Sequence, residues 1–241
     1  DLGYSFVEGQ VKHALNLEIS FNDMSRFLML NQDGGAIYAW GYRDTTGTVI
    51  HHNWFHDSAL TTNPFGIPLD GIQVGTYLDM GSGPATLHHN VYWGIGENLE
   101  AELGADHYTL PNFSYRNAGS SYVYNNTFYS DTSHSYTTFV TTPLDVQRNN
   151  VYRKQINLNW GAASPDVAGS ILMGTDPRFA GGDLAAERGL FFQLAADSPG
   201  LDAGVVIDGI TDGFVGDAPD IGAYERGGEA WVAGCDPETS A

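Results

Sequence analysis

The chain has 241 residues, of which 42% are hydrophobic and 16% charged. This composition excludes a disordered chain or a coiled coil, and the length allows a substantial core. Ten basic residues against 29 acidic ones give a net charge of −19, which disfavours nucleic acids and anionic membrane surfaces as partners. The single cysteine, Cys235, excludes an internal disulfide framework. The sequence contains no run of about 18 apolar residues, which is the length needed to span a bilayer.

A six-residue pattern recurs along the chain: an aliphatic residue, two variable residues, Asn, one variable residue and a bulky apolar residue. The copies are Ile19–Met24, Ile50–Phe55, Leu87–Tyr92, Val123–Phe128 and a weaker Gln147–Tyr152. Their Asn residues lie 31, 37, 36 and 24 residues apart. A repeat with a constant local pattern and variable spacing predicts a parallel β-helix, in which short strands stack as rungs of a solenoid.

The repeated Asn suits a corner of such a coil. Asn tolerates left-handed backbone angles, and stacked side-chain amides can bond from rung to rung. Additional residues leave the coil as loops, which we expect at 58–72 and 99–118. A β-sandwich is the alternative, but it requires turns every 8–12 residues or so and would not repeat Asn at one corner.

The C-terminal region departs from the repeat and is rich in loop residues. We assign residues 1–165 to the rungs and residues 166–241 to an irregular segment of the same domain that caps the open apolar end. No comparable cap precedes the first rung. We therefore expect the chain to be the C-terminal part of a longer β-helix, completed by a preceding segment or a second chain.

Several short motifs resemble those of secreted bacterial right-handed parallel β-helix proteins. They are Asp33–Tyr38, Gly75–Asp79, Thr175–Phe179, Ser198–Gly204 and Asp220–Glu225. Within that group the chain is most similar to the β-helical glycoside hydrolases of families 141 and 120. The resemblance implies a right-handed parallel β-helix, an extracellular or periplasmic location, and hydrolysis of a polysaccharide or oligosaccharide.

In those hydrolases two carboxylates on neighbouring rungs perform the reaction, and the resemblance assigns them to Asp33 and Asp79. Related sequences often carry a second Asp where this chain has Met80. When the loop 58–72 is removed, Asp33 and Asp79 fall at matching rung positions. Rungs about 4.8 Å apart would place the two carboxylates about 5–9 Å apart, which covers retaining and inverting geometries. Which Asp acts as the acid stays open.

Aromatic and polar residues near these rungs are candidates for substrate contact, because aromatic faces pack against sugar rings. The candidates are Trp40, Tyr42, Arg43, His51, Tyr77, His88, Trp93 and Glu97. Core packing is the alternative for the aromatic residues. Glu97, like Glu100 and Glu102, could also supply the acid, although a solvated loop is the more ordinary role.

Two His-His-Asn triplets, at 51–53 and 88–90, predict that His51 lies over His88 and His52 over His89. We favour a structural stack over a substrate-contacting wall, and both over a metal site, because no Cys or evenly spaced carboxylate completes a tetrahedral set. We therefore predict no metal site and no cofactor. A structural calcium in the acidic stretch 208–220 is an alternative to a solvated loop.

Two further functions stay open. A polysaccharide lyase acting on uronates could use His51, His88 or Arg43, although two lysines in the whole chain count against it. A non-catalytic adhesin or glycan-binding module is the other. A hydrolase requires Asp33 and Asp79 to line one groove with the aromatic residues.

Overall fold

The computed structural model describes residues 15–28, 34–39, 44–58, 73–79, 82, 84–95, 109–114, 121–129, 134–138, 145–153, 155–158, 166 and 171–234. Their strands form a parallel β-helix with three sheets. Sheet A contains β1 (Glu18–Ser20), β4 (Thr48–His51), β7 (Ala85–His88), β10 (Tyr122–Tyr124) and β13 (Val146–Arg148). Sheet B contains β2 (Asp23–Ser25), β5 (Trp54–Ser58), β8 (Val91–Ile95), β11 (Thr127–Tyr129), β14 (Asn150–Tyr152) and β16 (Ile171–Met173). Sheet C contains β3 (Gly34–Ala39), β6 (Gln73–Leu78), β9 (Thr109–Ser114), β12 (His134–Thr138) and β15 (Gln155–Leu158).

The parallel β-helix expected from the repeat is therefore confirmed, and its copies are in register. Ile19 pairs with Ile50, and Ile50 pairs with Leu87. Side chains alternate between the two faces of each strand, so every second residue points into the coil. Inside it, rings of successive turns stack in one column at centroid distances of 4.6, 4.8 and 5.0 Å. This column consists of Phe55, Tyr92, Phe128 and Tyr152.

A ladder of buried amides joins the turns at the corner between sheets A and B. Asn53 donates from Nδ2 to Oδ1 of Asn90 at 3.0 Å, and Asn90 does the same to Asn126. Each Oδ1 also accepts the backbone N–H of the preceding ladder Asn. The left-handed residue is the one before the ladder Asn, for example His52 with φ of 53° and His89 with φ of 51°. The expectation that Asn itself takes left-handed angles is thus corrected: its side chain points inward to bond backbone groups there.

Among the described residues the A–B corner has nearly the same length in each turn, and the longer stretches of sequence between strands fall at the other two corners. The A–B corner is tight, being formed by residues 52–53, 89–90 and 125–126 in successive turns. Residues 59–72 and 96–108 precede β6 and β9, and residues 40–47 and 79–84 follow β3 and β6. Of the predicted loop 58–72, Ser58 ends β5 and residues 59–72 lie outside the described residues. The predicted loop 99–118 is corrected, because it contains β9, a strand of sheet C.

The C-terminal segment 174–234 lies along the side of the coil. It contains a short helix, α1 (Leu184–Glu187), and a 3₁₀ helix, Arg188–Phe192. Backbone N–H groups bond Gly222 to the carbonyl oxygen of Asn149 and Gly234 to that of Phe21, so the segment reaches from the last turn back to the first. These contacts lie on a flank of the coil, and the expectation that residues 166–241 cap its open apolar end stays a prediction.

The flank needs a cover because sheet B presents large apolar side chains outward at its A–B end. Trp54, Val91 and Trp93 form a second cluster with Tyr224 and Ala223 of the C-terminal segment. Trp54 donates from Nε1 to the hydroxyl of Tyr224 at 3.0 Å, both groups being buried. Within the part of the chain that the structure describes, no helix has the length and apolar character to cross a membrane.

Candidate functional site

The outer face of sheet C carries two stacked tyrosines and a carboxylate. Ile37 and Ala39 belong to the core, so Tyr38 between them points outward. Tyr38 pairs with Tyr77 on the next turn, and their rings stack at 4.9 Å with an interplanar angle of 21°. The Tyr38 hydroxyl donates to Oδ2 of Asp79 at 2.9 Å.

Asp79 occupies a well-defined turn at the end of β6. Its backbone N–H donates to the carbonyl oxygen of Ala39, and its own carbonyl oxygen accepts from the Ser82 hydroxyl at 2.6 Å. The same hydroxyl bonds Ala39. Asp79 is only 5% exposed, so its carboxylate lies beneath the surface next to the Tyr38–Tyr77 stack. Such a group can accept hydrogen bonds or, when protonated, donate a proton.

The register of sheet C does not align Asp79 with the start of β3. Gly34 pairs with Gln73, and Ala39 pairs with Leu78. Asp79 follows Leu78, whereas Gly34 begins its strand, about 16 Å away from Ala39 at the usual rise of a strand. Asp33 itself lies outside the described residues. The expectation that Asp33 and Asp79 share one rung position therefore stays a prediction.

Other predicted residues fall outside the described part of the chain. They are Trp40, Tyr42, Arg43 and Glu97. Their roles in substrate contact stay predictions.

Trp93 has a different place from the one expected. It is 5% exposed and packs between His56, whose ring stacks on it at 4.2 Å, and Phe192 of the C-terminal segment. Because the C-terminal segment covers it, its ring packs inside the protein and does not line an open groove. The expected substrate contact at Trp93 is corrected accordingly.

The paired His triplets stack as the sequence predicts. His51 lies over His88 at 4.8 Å with an interplanar angle of 6°, and His52 lies over His89 at 4.9 Å with 11°. Within each turn the two Nδ1 atoms approach each other, at 2.7 Å for His51 and His52 and 2.9 Å for His88 and His89. Nε2 of His51 lies 3.1 Å from Oε1 of Glu18.

Burial keeps much of this histidine cluster uncharged. Burial, together with the charge of His51, lowers the pKa of His52 to about 4. Burial and the neighbouring His51 and His52 lower the pKa of His88 to about 3. The pKa of His89 is lowered well below its usual value, chiefly by burial. At neutral pH these three rings are therefore neutral and can donate and accept hydrogen bonds.

A pocket of about 340 Å³ opens between the A–B corner and the C-terminal segment. His52, His89 and Asn125 form its wall on the coil, and the C-terminal segment contributes acidic and aromatic residues. These are Asp212, Phe214, Glu225, Glu229 and Trp231. Trp231 packs edge-on against His52 at 5.0 Å and stacks on Tyr224 at 4.7 Å. The volume lies at the lower end of small-ligand sites.

A charged network on sheet B was not anticipated from the sequence. His56 contacts Oδ1 of Asp23 at 2.6 Å through Nε2 and Oδ2 of Asp57 at 2.8 Å through Nδ1. Arg188 forms an ion pair with Asp23 and lies over the ring of Trp54. The contact between Asp23 and His56 could have been found from the repeat, because Asp23 pairs with Trp54 of the next turn and His56 follows Trp54 by two residues. The contribution of Arg188 depends on the path of the C-terminal segment.

The acidic stretch 208–220 and its neighbours bind their own backbone. Asp220 accepts the N–H groups of Asp202 and Arg226, and Asp202 accepts that of Asp217. Glu225 accepts the N–H groups of Val215 and Asp220. These carboxylates are therefore used to hold the loop in shape, and calcium at 208–220 stays an untested alternative.

No protein-family model matches the chain, and no curated protein matches it. Among solved structures, it is similar to the crystal structure of pectate lyase Pel9A, with a TM-score of 0.49 and 19% sequence identity. The alignment covers 88% of this chain and 62% of that one, so the chain spans less than two thirds of the length of its structural neighbour. The assignment to the parallel β-helix fold follows from the sheet topology. The resemblance to glycoside hydrolase families 141 and 120 is not confirmed.

Proposed function

We propose that the protein is an extracellular enzyme that cleaves a polysaccharide or oligosaccharide, with the outer face of sheet C as its substrate site and Asp79 as its reacting carboxylate. The observation that carries the proposal is the hydrogen bond from Tyr38 to Asp79 beside the Tyr38–Tyr77 stack. The partly exposed ring of Tyr38 provides a packing surface for a sugar ring, the buried Tyr77 supports it from beneath the surface, and Asp79 provides a group for acid–base chemistry.

The borders of sheet C support this choice of face. Long connections such as 59–72 and 96–108 enter sheet C, and 40–47 leaves it, whereas the A–B corner contains two residues in most turns. Loops that vary in length around a rigid sheet are the usual position of binding residues. Of the predicted contacts, Trp40, Tyr42 and Arg43 belong to the connection that follows β3 in the chain.

Hydrolysis by the Asp33–Asp79 pair is the first mechanism, and elimination from a uronate is the second. Hydrolysis requires the two carboxylates to lie about 5–9.5 Å apart, and Asp33 lies outside the described residues. A lyase requires a base and a group that neutralises the uronate carboxylate. Arg43 is a candidate for the second role.

The test is an assay of the purified chain on a panel of neutral and uronate-containing glycans. New reducing ends without an ultraviolet chromophore indicate hydrolysis, and a chromophore from an unsaturated uronate indicates elimination. NMR of the first product gives the anomeric outcome. Binding to a glycan with no product at any protein concentration would reject an enzyme and favour the glycan-binding module.

A further inference from the structure

Four histidines lie at the A–B corner: His51, His52, His88 and His89. Their ring nitrogens come close together both within a turn and between the two turns. One nitrogen from each of His51, His52 and His88 lies within 4.8 Å of the other two. The closest pair, Nδ1 of His51 and Nδ1 of His52, is 2.7 Å apart. Among the described residues, this is the group of His, Cys, Asp and Glu side chains whose geometry suits a metal ion.

The separations are close to those of ligands around one ion. With metal–nitrogen bonds of about 2.1 Å, two ligands at right angles lie about 3.0 Å apart and two opposite ligands about 4.2 Å apart. The His51–His52 pair matches the first value to within about 0.3 Å. The spacing between turns exceeds the second by about 0.6 Å. Because the rings of His51 and His88 stack with an interplanar angle of 6°, the His88 side chain must change rotamer to turn a ring nitrogen towards an ion held by His51 and His52.

The hydrogen bonds indicate which atoms are available. A carboxylate can only accept, so Nε2 of His51 carries the hydrogen that faces Glu18. In a neutral His51 ring, Nδ1 then has the lone pair and accepts from Nδ1 of His52. An ion could take the place of this shared hydrogen if His52 moves its proton to Nε2. His52 lines the pocket, where water can receive the hydrogen bond.

The surroundings favour a cation and allow access. The chain carries a net charge of −19. His52 and His89 lie on the wall of the pocket, together with the carboxylates of Asp212, Glu225 and Glu229 across it. The pocket therefore provides a route and a negative potential towards the cluster.

In contrast to the expectation from the sequence, we propose that this corner binds one divalent transition-metal ion through Nδ1 of His51 and His52 and a ring nitrogen of His88. Imidazole ligands favour nickel, copper and zinc over calcium and magnesium, which prefer oxygen. The ion would tie two turns of the coil together beside the pocket. This site is separate from the outer face of sheet C and does not depend on the function proposed for that face.

The experiment titrates the untagged full chain, freed of metal by chelation, with Ni²⁺, Cu²⁺ and Zn²⁺ in separate calorimetric runs. We expect one ion bound per chain. The variant His52→Asn introduces asparagine, because later turns carry Asn125 and Asn149 at the same left-handed position. The variant His51→Ser introduces serine, because Ser20 occupies the matching position on the preceding turn. Each variant is expected to weaken binding at least tenfold.

A histidine outside the cluster gives the matched control. His56→Gln removes a ring that is buried on sheet B but lies outside the cluster, and it is expected to bind the ion as the original chain does. Far-ultraviolet circular dichroism checks that each variant keeps its strands. Unchanged affinity in folded His51→Ser and His52→Asn would overturn the proposal.

Electron paramagnetic resonance of the Cu²⁺-loaded original chain supplies a test that needs no variant. Couplings from at least two imidazole nitrogens, with one Cu²⁺ per chain, are the expected result. The proposal would be overturned if none of the three ions bound at one per chain, or if the Cu²⁺ spectrum showed oxygen ligands alone. This test holds even if every variant fails to fold.

Discussion

The hydroxyl of Tyr38, on one turn of the coil, donates a 2.9 Å hydrogen bond to Oδ2 of Asp79 on the next turn. The two residues are joined again through the stack of Tyr38 on Tyr77 and the backbone bond from Asp79 to Ala39. A carboxylate held in this way at the outer face of a sheet has a fixed orientation. Fixed orientation is what acid–base chemistry on a bound substrate requires.

The variant Tyr38→Phe tests this hydrogen bond. It removes one donor to a buried carboxylate while keeping the stacked ring, so we expect a loss of about 1.5–3 kcal/mol in the free energy of unfolding. Urea denaturation followed by circular dichroism measures it. Tyr122→Phe, at a side chain that is 43% exposed, is the control and should change stability by less than about 0.5 kcal/mol. Equal stability of both variants would contradict the role of the bond.

The amide ladder should tolerate loss at its exposed end better than in its middle. Asn90 bonds Asn53, Asn126 and the carbonyl oxygen of Ile50, all of them buried, so Asn90→Ala leaves several polar groups without partners. We expect a cost on the order of 3 kcal/mol. Asn22→Ala removes the exposed first member and should cost about 1 kcal/mol. Urea midpoints compare the two, and a larger cost at Asn22 would be inconsistent with the ladder as the source of stability.

Stability should fall as the pH is lowered from 7 towards 5. An unfolded His has a pKa near 6.5, whereas the pKa is about 4 for His52 and about 3 for His88 in the folded chain. Below pH 6.5 the unfolded chain therefore binds protons that the folded chain does not, and acid favours unfolding. The test is the urea midpoint of metal-free protein at pH 7, 6 and 5. In His52→Asn the midpoint should depend less on pH, and the same slope in both proteins would exclude His52 as the cause.

Two glycines of the C-terminal segment differ in what an added methyl group would meet. A Cβ at Gly189 would overlap the indole ring of Trp54, which is fully buried. Gly189→Ala should therefore destabilise the protein by about 1–3 kcal/mol and loosen the contact of the segment with sheet B. At Gly182 the nearest group is Glu187 Oε1 at 3.8 Å, an ordinary contact. Gly182→Ala should be close to neutral, and thermal unfolding measured by tryptophan fluorescence distinguishes the two.

The fold could be predicted because each turn repeats the same local interactions. The ladder Asn and the apolar residues around it recur in sequence, and the register of sheets A and B follows that recurrence. The stacking of His51 on His88 could be predicted for the same reason, since both residues precede a ladder Asn by two positions.

The position of sheet C relative to the repeat could not be predicted in this way. Connections of different length enter and leave its strands, so the distance in sequence from a ladder Asn does not give the rung position. The expected alignment of Asp33 with Asp79 depended on that distance and stays a prediction, while the described strands pair Gly34 with Gln73 and Ala39 with Leu78. Trp93 was mistaken for a groove residue because the path of the C-terminal segment over sheet B has no repeat to indicate it.

The most direct test of the account is the comparison of Asp79→Asn with Asp145→Asn on whichever glycan the protein cleaves. Both side chains are buried, and each is replaced by an amide of the same shape; Asp145 accepts the backbone N–H of Ser121 and lies in sequence just before β13 of sheet A. We predict that Asp79→Asn lowers kcat by at least about a hundredfold, the usual scale for loss of an acid or base, and that Asp145→Asn keeps kcat within about threefold of the original. Full activity in folded Asp79→Asn would contradict the assignment of the reaction to the outer face of sheet C.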